Sequence, residues 1–496
     1  MSEVKCNVIA EQFRNDGNSH FRNGEFLEAL ILYNKSACYA DSAESLSLAY
    51  ANRSAVYLKV KMFEKCLENI EKARDHGYCD EKLKEREKKC RKFMESQRED
   101  PLDDNKRFFK LTYPENDKIP FLVNCLELRS DEKFGHYIVT NTKLHPGDVI
   151  AIEEPFFKFV DNEVCYSRCK NCLKSNDLSL IPCATCVSSL YCSQKCKSEH
   201  ETLIHHVECS KKPLPPVLVV CTKMLLKAVS IAGGLNQLRD LLKSSKRKTV
   251  FDYNLSDRND PDYLKNLLIV VNSMAMSENS RIVMTAQMKK TFNFAPFSSL
   301  WETEDERNFL IECFHSQLRI HNTNQLEMGE HTLEEAHGEL YWYVKTIGSG
   351  LCPFASLFNH SCDANVKRAS FDNKIAFVVA KPIEAGEQLF LSYGYSSYRM
   401  PREDRQSLLQ RFSFKCDCEA CEKDFPETEN LPRFDPTFVE PKFRTMKVCD
   451  AIQEFKENCE YIEKNIENHP SYETTLCLIH NDHLLNQISK EPLKFT

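Results

Sequence analysis

A run of cysteines between Cys169 and Cys209 has the spacing of zinc ligands. Its eight donor side chains come in four couples: Cys169-x2-Cys172, Cys183-x2-Cys186, Cys192-x3-Cys196 and His205-x3-Cys209. Two or three intervening residues let one turn aim two side chains at a tetrahedral metal ion, and zinc prefers thiolate and imidazole ligands. The segment is short and poor in aliphatic residues, so metal must supply its stability. This pattern predicts a pair of zinc ions.

A second group of reactive residue types lies downstream, on either side of a predicted strand. It contains three motifs: Asn359-His360-Ser361-Cys362, Ser392-Tyr393-Gly394 and Cys416-x-Cys418-x2-Cys421. The strand is predicted over 374–380, where apolar residues run up to a turn at Gly386. The cysteine trio offers three thiolates, which is one fewer than a tetrahedral zinc site needs.

These residues must be positioned by a chain of 496 residues, long enough for roughly three or four domains. A net charge of −7 argues against a general binder of nucleic acid or anionic membranes. The N-terminus has no cationic and apolar leader, and Lys223 and Lys227 interrupt the apolar run 217–235. We therefore expect no export and no membrane span, and reduced cysteines in a protein of the cytoplasm and nucleus.

Residues 10–75 carry a weak internal repeat. The residues Phe21, Phe26, Ala29, Leu30, Tyr33 and Ser36 recur, at an offset of 37, as Leu58, Phe63, Cys66, Leu67, Ile70 and Ala73. Small residues meet large ones where paired helices cross, so the pattern predicts helical hairpins. It is similar to the tetratricopeptide repeat, which is better suited to binding than to catalysis.

Some tetratricopeptide proteins hold the acidic C-terminal tails of heat-shock chaperones in a two-carboxylate clamp. Residues of the matching types are Arg14, Asn18, Asn52, Lys82 and Arg86. Three cations and two amides can hold two carboxylates through charge-assisted hydrogen bonds. The alternative is that these are ordinary polar residues of helical surfaces, and the sequence leaves both interpretations open.

Taken together, the downstream motifs resemble the core of the SET-domain lysine methyltransferases. A cluster of zinc ligands inserted into that core narrows the resemblance to the SET-and-MYND family, and the N-terminal repeats most resemble its fourth member. The resemblance covers about residues 10–425. It implies an α+β multidomain protein with a split, β-rich SET core, an inserted MYND zinc module, N-terminal helical repeats, and a helical insert and tail.

The resemblance divides the chain into seven segments. They are the repeats at 1–98, the first SET half at 121–165, the MYND module at 166–210, the helical insert at 211–330, the second SET half at 331–400, the post-SET zinc segment at 401–425 and a short helical tail at 426–496. Family members have a longer C-terminal helical domain that walls the substrate cleft. The short tail therefore predicts a more open cleft or a shortened form.

The resemblance also assigns the metal ligands to three structural zinc ions. One ion takes Cys169, Cys172, Cys192 and Cys196, and the next takes Cys183, Cys186, His205 and Cys209. The third takes Cys362 with Cys416, Cys418 and Cys421, which completes the trio. Eleven of the 24 cysteines are then ligands, and the remaining thirteen are an odd number unsuited to a full disulfide framework.

S-adenosylmethionine is the cofactor that the resemblance implies, and Tyr393 is the implied catalytic residue. The implied cofactor contacts are Lys133, Phe134, Gly135, Asn322, Asn359, His360, Tyr393 and Phe414, and the implied lysine channel contains Phe412 and Phe414. A free lysine has a pKa of about 10.4, so its amine must lose a proton before it can attack. An apolar channel lowers that pKa by desolvation, and the tyrosine oxygen can orient the amine.

Two positions depart from the family pattern. Glycine is usual where Phe134 stands, so a bulkier loop narrows or shifts the cofactor site. Tyrosine is usual where Phe412 stands, so the channel lacks one hydroxyl, which alters the methylation degree or weakens activity. The assignment of Asn322 also has a second possible alignment, because the chain reads Asn322-Thr323-Asn324.

The leading interpretation is a protein-lysine N-methyltransferase that acts on lysines of histone or other proteins, with a role in transcriptional regulation. The alternative is a catalytically weak adaptor, which binds chaperone tails through its repeats and proline-rich peptides through the MYND module. A sequence-specific DNA-binding protein fits poorly, because residues 165–210 show no recognition-helix spacing. The sequence does not name the substrate.

Overall fold

The computed structural model describes residues 4–94, 107–205, 209, 216–243, 248–274, 301–336 and 339–489. At 177, 203, 216, 330–336 and 339–345 only the backbone is described. The chain is a mixture of helices and short sheets, as the predicted α+β class requires. Short 3-10 turns lie at Asn162–Val164, Asn176–Leu178, Val250–Asp252, Ala355–Leu357, Gln410–Phe412, Thr428–Asn430 and Ile466–Asn468.

The N-terminal region is helical. Its helices are α1 (Asn7–Asn23), α2 (Phe26–Tyr39), α3 (Ala43–Lys59), α4 (Phe63–Asp75) and α5 (Glu81–Met94). Helix α1 ends at Gly24, whose φ of +84° forms a left-handed cap that suits glycine. Helix α3 begins after Ser42, whose side chain accepts a hydrogen bond from the Ser45 N–H. Helix α1 packs against α2, and α3 packs against α4.

Strands from both sides of the cysteine-rich segment form a β-rich core. The strands before it are β1 (Leu126–Asp131), β2 (Gly135–Thr140), β3 (Val149–Glu153) and β4 (Phe157–Val160). Those after it are β7 (Gln325–Ala336), β8 (Glu339–Leu351), β9 (Asn359–His360), β10 (Val366–Phe371), β11 (Lys374–Val379) and β12 (Phe390–Leu391). The sheets run β1-β2, β10-β11-β3, β4-β8-β7 and β12-β9, and only the last is parallel. Two sheets thus join strands from both sides of the cysteine-rich segment.

The cysteine-rich segment itself has little regular structure. It holds β5 (Ile181–Pro182), β6 (Leu190–Tyr191) and α6 (Gln194–Leu203). Helix α6 begins after Ser193, whose hydroxyl accepts a hydrogen bond from the Cys196 N–H. A small apolar cluster packs this segment against Tyr39 and the neighbouring turn of α2.

The described residues between this segment and the second set of core strands include four helices. They are α7 (Pro216–Ala232), α8 (Leu235–Lys243), α9 (Tyr263–Ser273) and α10 (Glu304–Asn324). Among the described residues, no single helix is long and apolar enough to span a membrane; only α7 and α8 pass together, as a pair bent by 89°. Leu218, Met224 and Leu225 of α7 lie in the main core. Strand β7 starts directly after α10, before the boundary predicted at 331.

The C-terminal region contains four more helices. They are α11 (Arg402–Leu409), α12 (Glu419–Glu422), α13 (Val448–Lys464) and α14 (Tyr472–Ser489). Helix α14 packs against α13 and β10. Its Asp482 forms an ion pair with Lys367 of β10, with 3.0 Å between Oδ1 and Nζ. The C-terminal helices are therefore fixed to the β-rich core by a half-buried charge pair.

Candidate functional site

A cavity of about 580 Å³, here called the main cavity, opens beside β9 and the 3-10 turn that precedes the cysteine trio. This volume suits a small-molecule ligand. Seven of the predicted cofactor and channel residues line it, together with the predicted metal ligand Cys416: Lys133, Phe134, Asn359, His360, Tyr393, Phe412 and Phe414. Gly135 is absent from the lining and is the first residue of β2, with a φ of +64°. Asn322 is also absent and is exposed on α10.

Several lining residues were not predicted from the sequence. They include Lys248, Thr249, Val270, Met274, Thr323, Asn324, Lys415 and Asp417. Asn324, the second alternative of the ambiguous tripeptide, reaches the wall where Asn322 does not. Its Nδ2 donates to the Met274 carbonyl at 3.3 Å, which ties the end of α10 to α9. Lys415 and Asp417 flank the predicted zinc ligand Cys416. Their position next to it in the sequence could have indicated that they lie at the site.

Tyr393 follows β12 and is held by its hydroxyl. The hydroxyl donates to the Phe358 carbonyl at 2.8 Å. The Phe358 ring is fixed in turn, because it stacks on Phe377 at 5.3 Å and meets Phe354 edge-on at 5.2 Å. Burial raises the pKa of Tyr393 to about 12, so the side chain is a neutral phenol at physiological pH.

His360 connects Tyr393 to the predicted zinc ligand Cys362. Burial lowers the pKa of His360 to about 4, so its imidazole is neutral. The Nδ1 atom accepts a hydrogen bond from the Tyr393 N–H at 3.1 Å. The single ring proton must then lie on Nε2, which is 3.3 Å from Cys362 Sγ and donates to it. Both ring nitrogens are thus engaged, and the ring can offer a ligand only its face and edge.

Aromatic rings form one wall of the main cavity. The Tyr393 ring centroid is 4.9 Å from that of Phe412 and 6.4 Å from that of Phe414. Phe412 is buried, whereas Phe414 is 37% exposed and forms the outer part of the wall. Aromatic faces attract cations and also pack against aliphatic chains. The wall therefore suits a ligand that carries a positive charge without a large polar shell.

Phe134 lies between the main cavity and a second cavity of about 400 Å³. Its ring packs against Phe390 at 6.2 Å, and Lys133 Nζ lies 4.9 Å from its centroid. Lys133 also forms an exposed ion pair with Asp417 at 2.8 Å. Asn359 Nδ2 donates to the His136 carbonyl at 3.3 Å, which ties β9 to the same hairpin.

Residues beside Tyr393 face a different cavity, of about 290 Å³. Ser392 and Gly394 line it together with Asp482 of α14. Tyr393 itself lines the main cavity and is absent from the lining of this one. Helix α14 of the tail therefore forms part of the wall of a cavity next to the tyrosine segment.

The structure brings twelve predicted metal ligands together in three groups, whose donor atoms lie within 4.8 Å of one another. The first metal group is Cys169, Cys172, Cys192 and Cys196, and the second is Cys183, Cys186, His205 and Cys209. The third metal group is Cys362, Cys416, Cys418 and Cys421. The segment that holds the first two groups is called the zinc module below.

The distances within these groups fit a tetrahedral zinc ion. The Sγ atoms of Cys172 and Cys192 are 3.5 Å apart, and so are those of Cys362 and Cys421. Zinc–sulfur bonds of about 2.3 Å imply edges of about 3.8 Å, whereas a disulfide bond is about 2.05 Å long. Three sulfurs and one imidazole, or four sulfurs, are the donor sets of closed structural zinc sites.

The five residues predicted to form a chaperone clamp lie on the N-terminal helices α1, α3 and α5. Asn52 Nδ2 donates to Asn18 Oδ1 at 2.8 Å, so these two amides lie side by side. Arg86 donates to a carbonyl of α3 at 2.8 Å and is therefore engaged within the helices. Arg14 forms an ion pair at 3.3 Å with a glutamate one turn earlier, and Lys82 is exposed.

Comparison with known proteins gives a consistent assignment. The SET domain family matches residues 66–394, well over half of the chain. Protein-lysine N-methyltransferase SMYD4 of Pongo abelii is 22% identical over 550 aligned residues, which cover 85% of this chain and 68% of the relative. SMYD4 of Danio rerio is 23% identical, with 86% and 67% covered. A SET and MYND domain-containing protein of Dictyostelium discoideum is 24% identical, with 66% and 89% covered.

The matched range contains the zinc module, the strands of the core and the tyrosine that borders the main cavity. The match therefore covers the first two metal groups and one side of the main cavity, whereas Cys416, Cys418 and Cys421 of the third group follow it. The chain belongs to the SET-domain family of protein-lysine methyltransferases, in its SET-and-MYND branch.

Proposed function

We propose that this chain is an S-adenosylmethionine-dependent protein-lysine N-methyltransferase that acts on lysines of histone or other proteins. The observation that carries the proposal is the main cavity of about 580 Å³, in which Asn359, His360 and Tyr393 meet beside an aromatic wall. Relatives named as protein-lysine N-methyltransferases support the reaction class.

The residues of the main cavity suit the cofactor. When bound, S-adenosylmethionine supplies a methyl group on a positively charged sulfur, and the amine lone pair forms a C–N bond as the C–S bond breaks. The rings of Tyr393, Phe412 and Phe414 would face that positive charge. His360 adds no competing positive charge, because its imidazole is neutral.

Tyr393 would orient the target amine through its oxygen. Its own hydrogen is committed to the Phe358 carbonyl, so a lone pair of the phenol oxygen remains to accept a hydrogen bond from the amine N–H. That bond would point the nitrogen lone pair away from the tyrosine. The lysine must first give its proton to water, and the apolar side chain of Phe412 favours the neutral amine by desolvating it.

We also infer that the N-terminal helices are tetratricopeptide repeats and that the zinc module is a MYND module with two zinc ions. The pairing of β3 with β11 and of β4 with β8 supports an insertion within one SET domain. A third zinc ion in the third metal group would complete the structural metals. The negative charge of the chain favours basic substrates, such as histone tails. We place the protein in the cytoplasm and nucleus as part of this proposal.

An adaptor function is the second candidate. The contact between Asn18 and Asn52 supports it, because two amides on one side of paired helices can bind a carboxylate together. In that role the repeats would hold acidic chaperone tails, and the zinc module would hold proline-rich peptides. The loss of a channel hydroxyl at Phe412 also favours a weak enzyme.

Transfer of a radiolabelled methyl group tests the methyltransferase directly. Zinc-replete protein is incubated with labelled S-adenosylmethionine and core histones or a cell lysate, beside Tyr393→Phe and Tyr461→Phe. Tyr461 is a matched control because its hydroxyl bonds to Asp435, away from the main cavity. We expect Tyr393→Phe to lose about 100-fold in rate and Tyr461→Phe to match the wild type. Folded wild type that labels nothing would leave the adaptor as the better account.

A further inference from the structure

Among the described residues, two arginine side chains are almost completely buried, and their guanidinium groups have different hydrogen-bond partners. Arg53 is 0% exposed and Arg405 is 1% exposed. A buried guanidinium is costly unless its N–H groups are hydrogen-bonded and its positive charge is compensated. The groups around each guanidinium must therefore compensate its charge.

Arg53 is satisfied by neutral groups. Its Nε and Nη2 donate to Asn69 Oδ1 at 2.8 and 2.6 Å. Its Nη1 donates to Asn34 Oδ1 and to the Leu180 carbonyl, both at 2.7 Å. The guanidinium carbon also lies 4.8 Å from the centre of the Tyr50 ring. Short bonds and one aromatic face accommodate this cation without an anion.

Arg405 has far fewer neutral acceptors. Its Nη1 donates to the Met400 carbonyl at 2.5 Å, but its Nη2 reaches the Ala420 carbonyl only at 3.5 Å. Its Nε has no hydrogen-bond partner although it is buried. No acidic side chain forms an ion pair with it within the described part of the chain. Neutral oxygens alone therefore do not account for its burial.

The remaining neighbour of Arg405 is the third metal group. Its Nη2 lies 3.8 Å from Cys421 Sγ. A zinc ion with four thiolates carries a formal charge of about −2, so this group would be strongly anionic once it holds metal. The second metal group contains His205 and would carry only about −1. A buried cation beside four thiolates is the complement that such a centre needs.

We propose that Arg405 is a positioning residue that stabilises the third metal group through its charge and thereby holds the wall of the main cavity. Two connections transmit the effect. Cys362 is bonded by His360, whose other nitrogen receives the Tyr393 N–H. Cys416 follows Phe412 by four residues, so the metal anchors the segment that carries the aromatic wall.

The test measures zinc rather than methyl transfer, so its outcome does not depend on the methyltransferase proposal. Zinc content per chain and the rate of zinc release to a chelating dye are measured for the wild type, Arg405→Met and Arg405→Lys. Cys418→Ser defines the signal of a protein without the third ion. Arg53→Met is the matched control, because it removes a guanidinium that is equally buried but bonded to neutral acceptors.

We expect Arg405→Met to release one zinc ion about 10- to 100-fold faster than the wild type, which is the usual effect of losing a residue that supports metal ligands. Arg405→Lys keeps the charge and is expected to retain this ion, with a release rate close to the wild type. Arg53→Met is expected to leave the third ion unchanged. Folded Arg405→Met that keeps the ion at the wild-type rate overturns the proposal.

Arg405→Lys decides the question if Arg405→Met does not fold. Slow release of the third ion from the lysine variant supports a role for the charge. Rapid release from a lysine variant with wild-type circular dichroism contradicts it, because the charge is still present. Rapid release of the third ion from Arg53→Met would also contradict the proposal, since any buried arginine would then have the same effect.

Discussion

The zinc module and the third metal group use the same ligand chemistry beside different neighbours. The module packs against the N-terminal helices through Cys38 and Tyr39 of α2 and the cluster around them. The third group packs against Tyr393 and Phe412, at the wall of the main cavity. Metal groups with similar cysteine spacing therefore lie at an interface in one region and at the wall of the main cavity in the other.

Hydrogen bonds show how closely the module depends on the helices. Asn34 Nδ2 donates to the carbonyls of Tyr166 and Leu178 at 3.0 and 3.1 Å. Asn69 Nδ2 donates to Ser179 Oγ at 2.9 Å. Polar groups that are buried together in this way are costly to separate. We therefore expect loss of metal from the zinc module and loss of metal from the third group to have different effects on the protein.

Removal of a ligand from each region should give the largest contrast. Cys418→Ser is expected to lose the third zinc ion and to weaken S-adenosylmethionine binding by about 100-fold or more, because the segment before Cys416 is no longer anchored. Cys172→Ser is expected to lose metal from the first group and to bind the cofactor as the wild type does. Zinc analysis and calorimetric titration measure both effects. Equal loss of cofactor binding in the two variants would remove the distinction between the regions.

Asn34→Ala should break the interface between the helices and the module. The change removes one acceptor from Arg53 and leaves the Leu178 carbonyl without its donor. We expect a loss of about 2–4 kcal/mol in unfolding free energy, with unchanged cofactor affinity. Chemical denaturation measures the stability. Gln453→Ala is the control, since Gln453 bonds Glu457 at an exposed site of α13. Unchanged stability of Asn34→Ala would mean that this interface contributes little.

Glu153 provides a pH test within the core. Its two oxygens accept the N–H groups of Phe354 and Ala355 at 2.8 and 3.0 Å. Burial nevertheless raises its pKa to about 8. The folded protein thus binds this proton more tightly than the unfolded chain, and the associated stability is full below about pH 4 and is lost as the pH rises towards 8.

Glu153→Gln cannot ionise and should not show this loss. We expect the stability of the wild type relative to Glu153→Gln to fall by about 3–5 kcal/mol between pH 5 and pH 9. Denaturant titrations at a series of pH values measure the difference. A difference that is constant with pH would show that Glu153 keeps one protonation state in both the folded and unfolded protein.

His360→Asn should have the smallest effect, because it leaves all twelve metal ligands in place. It removes the acceptor of the Tyr393 N–H and the donor to Cys362. We expect three zinc ions per chain and a cofactor affinity weakened about tenfold, as befits the loss of one or two hydrogen bonds. Zinc analysis and calorimetry on the same sample separate these outcomes. Loss of the third ion would show that His360 supports the metal as much as the cavity.

The sequence predicted the features that rest on local patterns. Couples such as Cys169-x2-Cys172 identify ligands at short range, and the strand from Lys374 to Val379 lies where its apolar run placed it. The three metal groups match those that the family resemblance implied. Asn359, His360 and Tyr393, which the motifs assigned to one site, line one cavity.

Other features depend on contacts between distant parts of the chain. Arg53 bonds the Leu180 carbonyl across 127 positions, and no pattern around either residue indicates that contact. Helix α14 is buried on most of its surface and includes buried Glu473, His480 and Gln487, so no apolar stripe identifies what it packs against. The choice of Asn324 over Asn322 follows from the orientation of α10, which tertiary packing sets.

Calorimetric titration of S-adenosylmethionine into zinc-replete protein, beside Asn359→Ala, tests the central claim most directly. We predict binding in the micromolar range for the wild type and affinity weakened at least about tenfold for the variant, because Asn359 lines the main cavity and ties β9 to the adjoining hairpin. A folded wild type with three zinc ions that shows no binding would contradict the methyltransferase account.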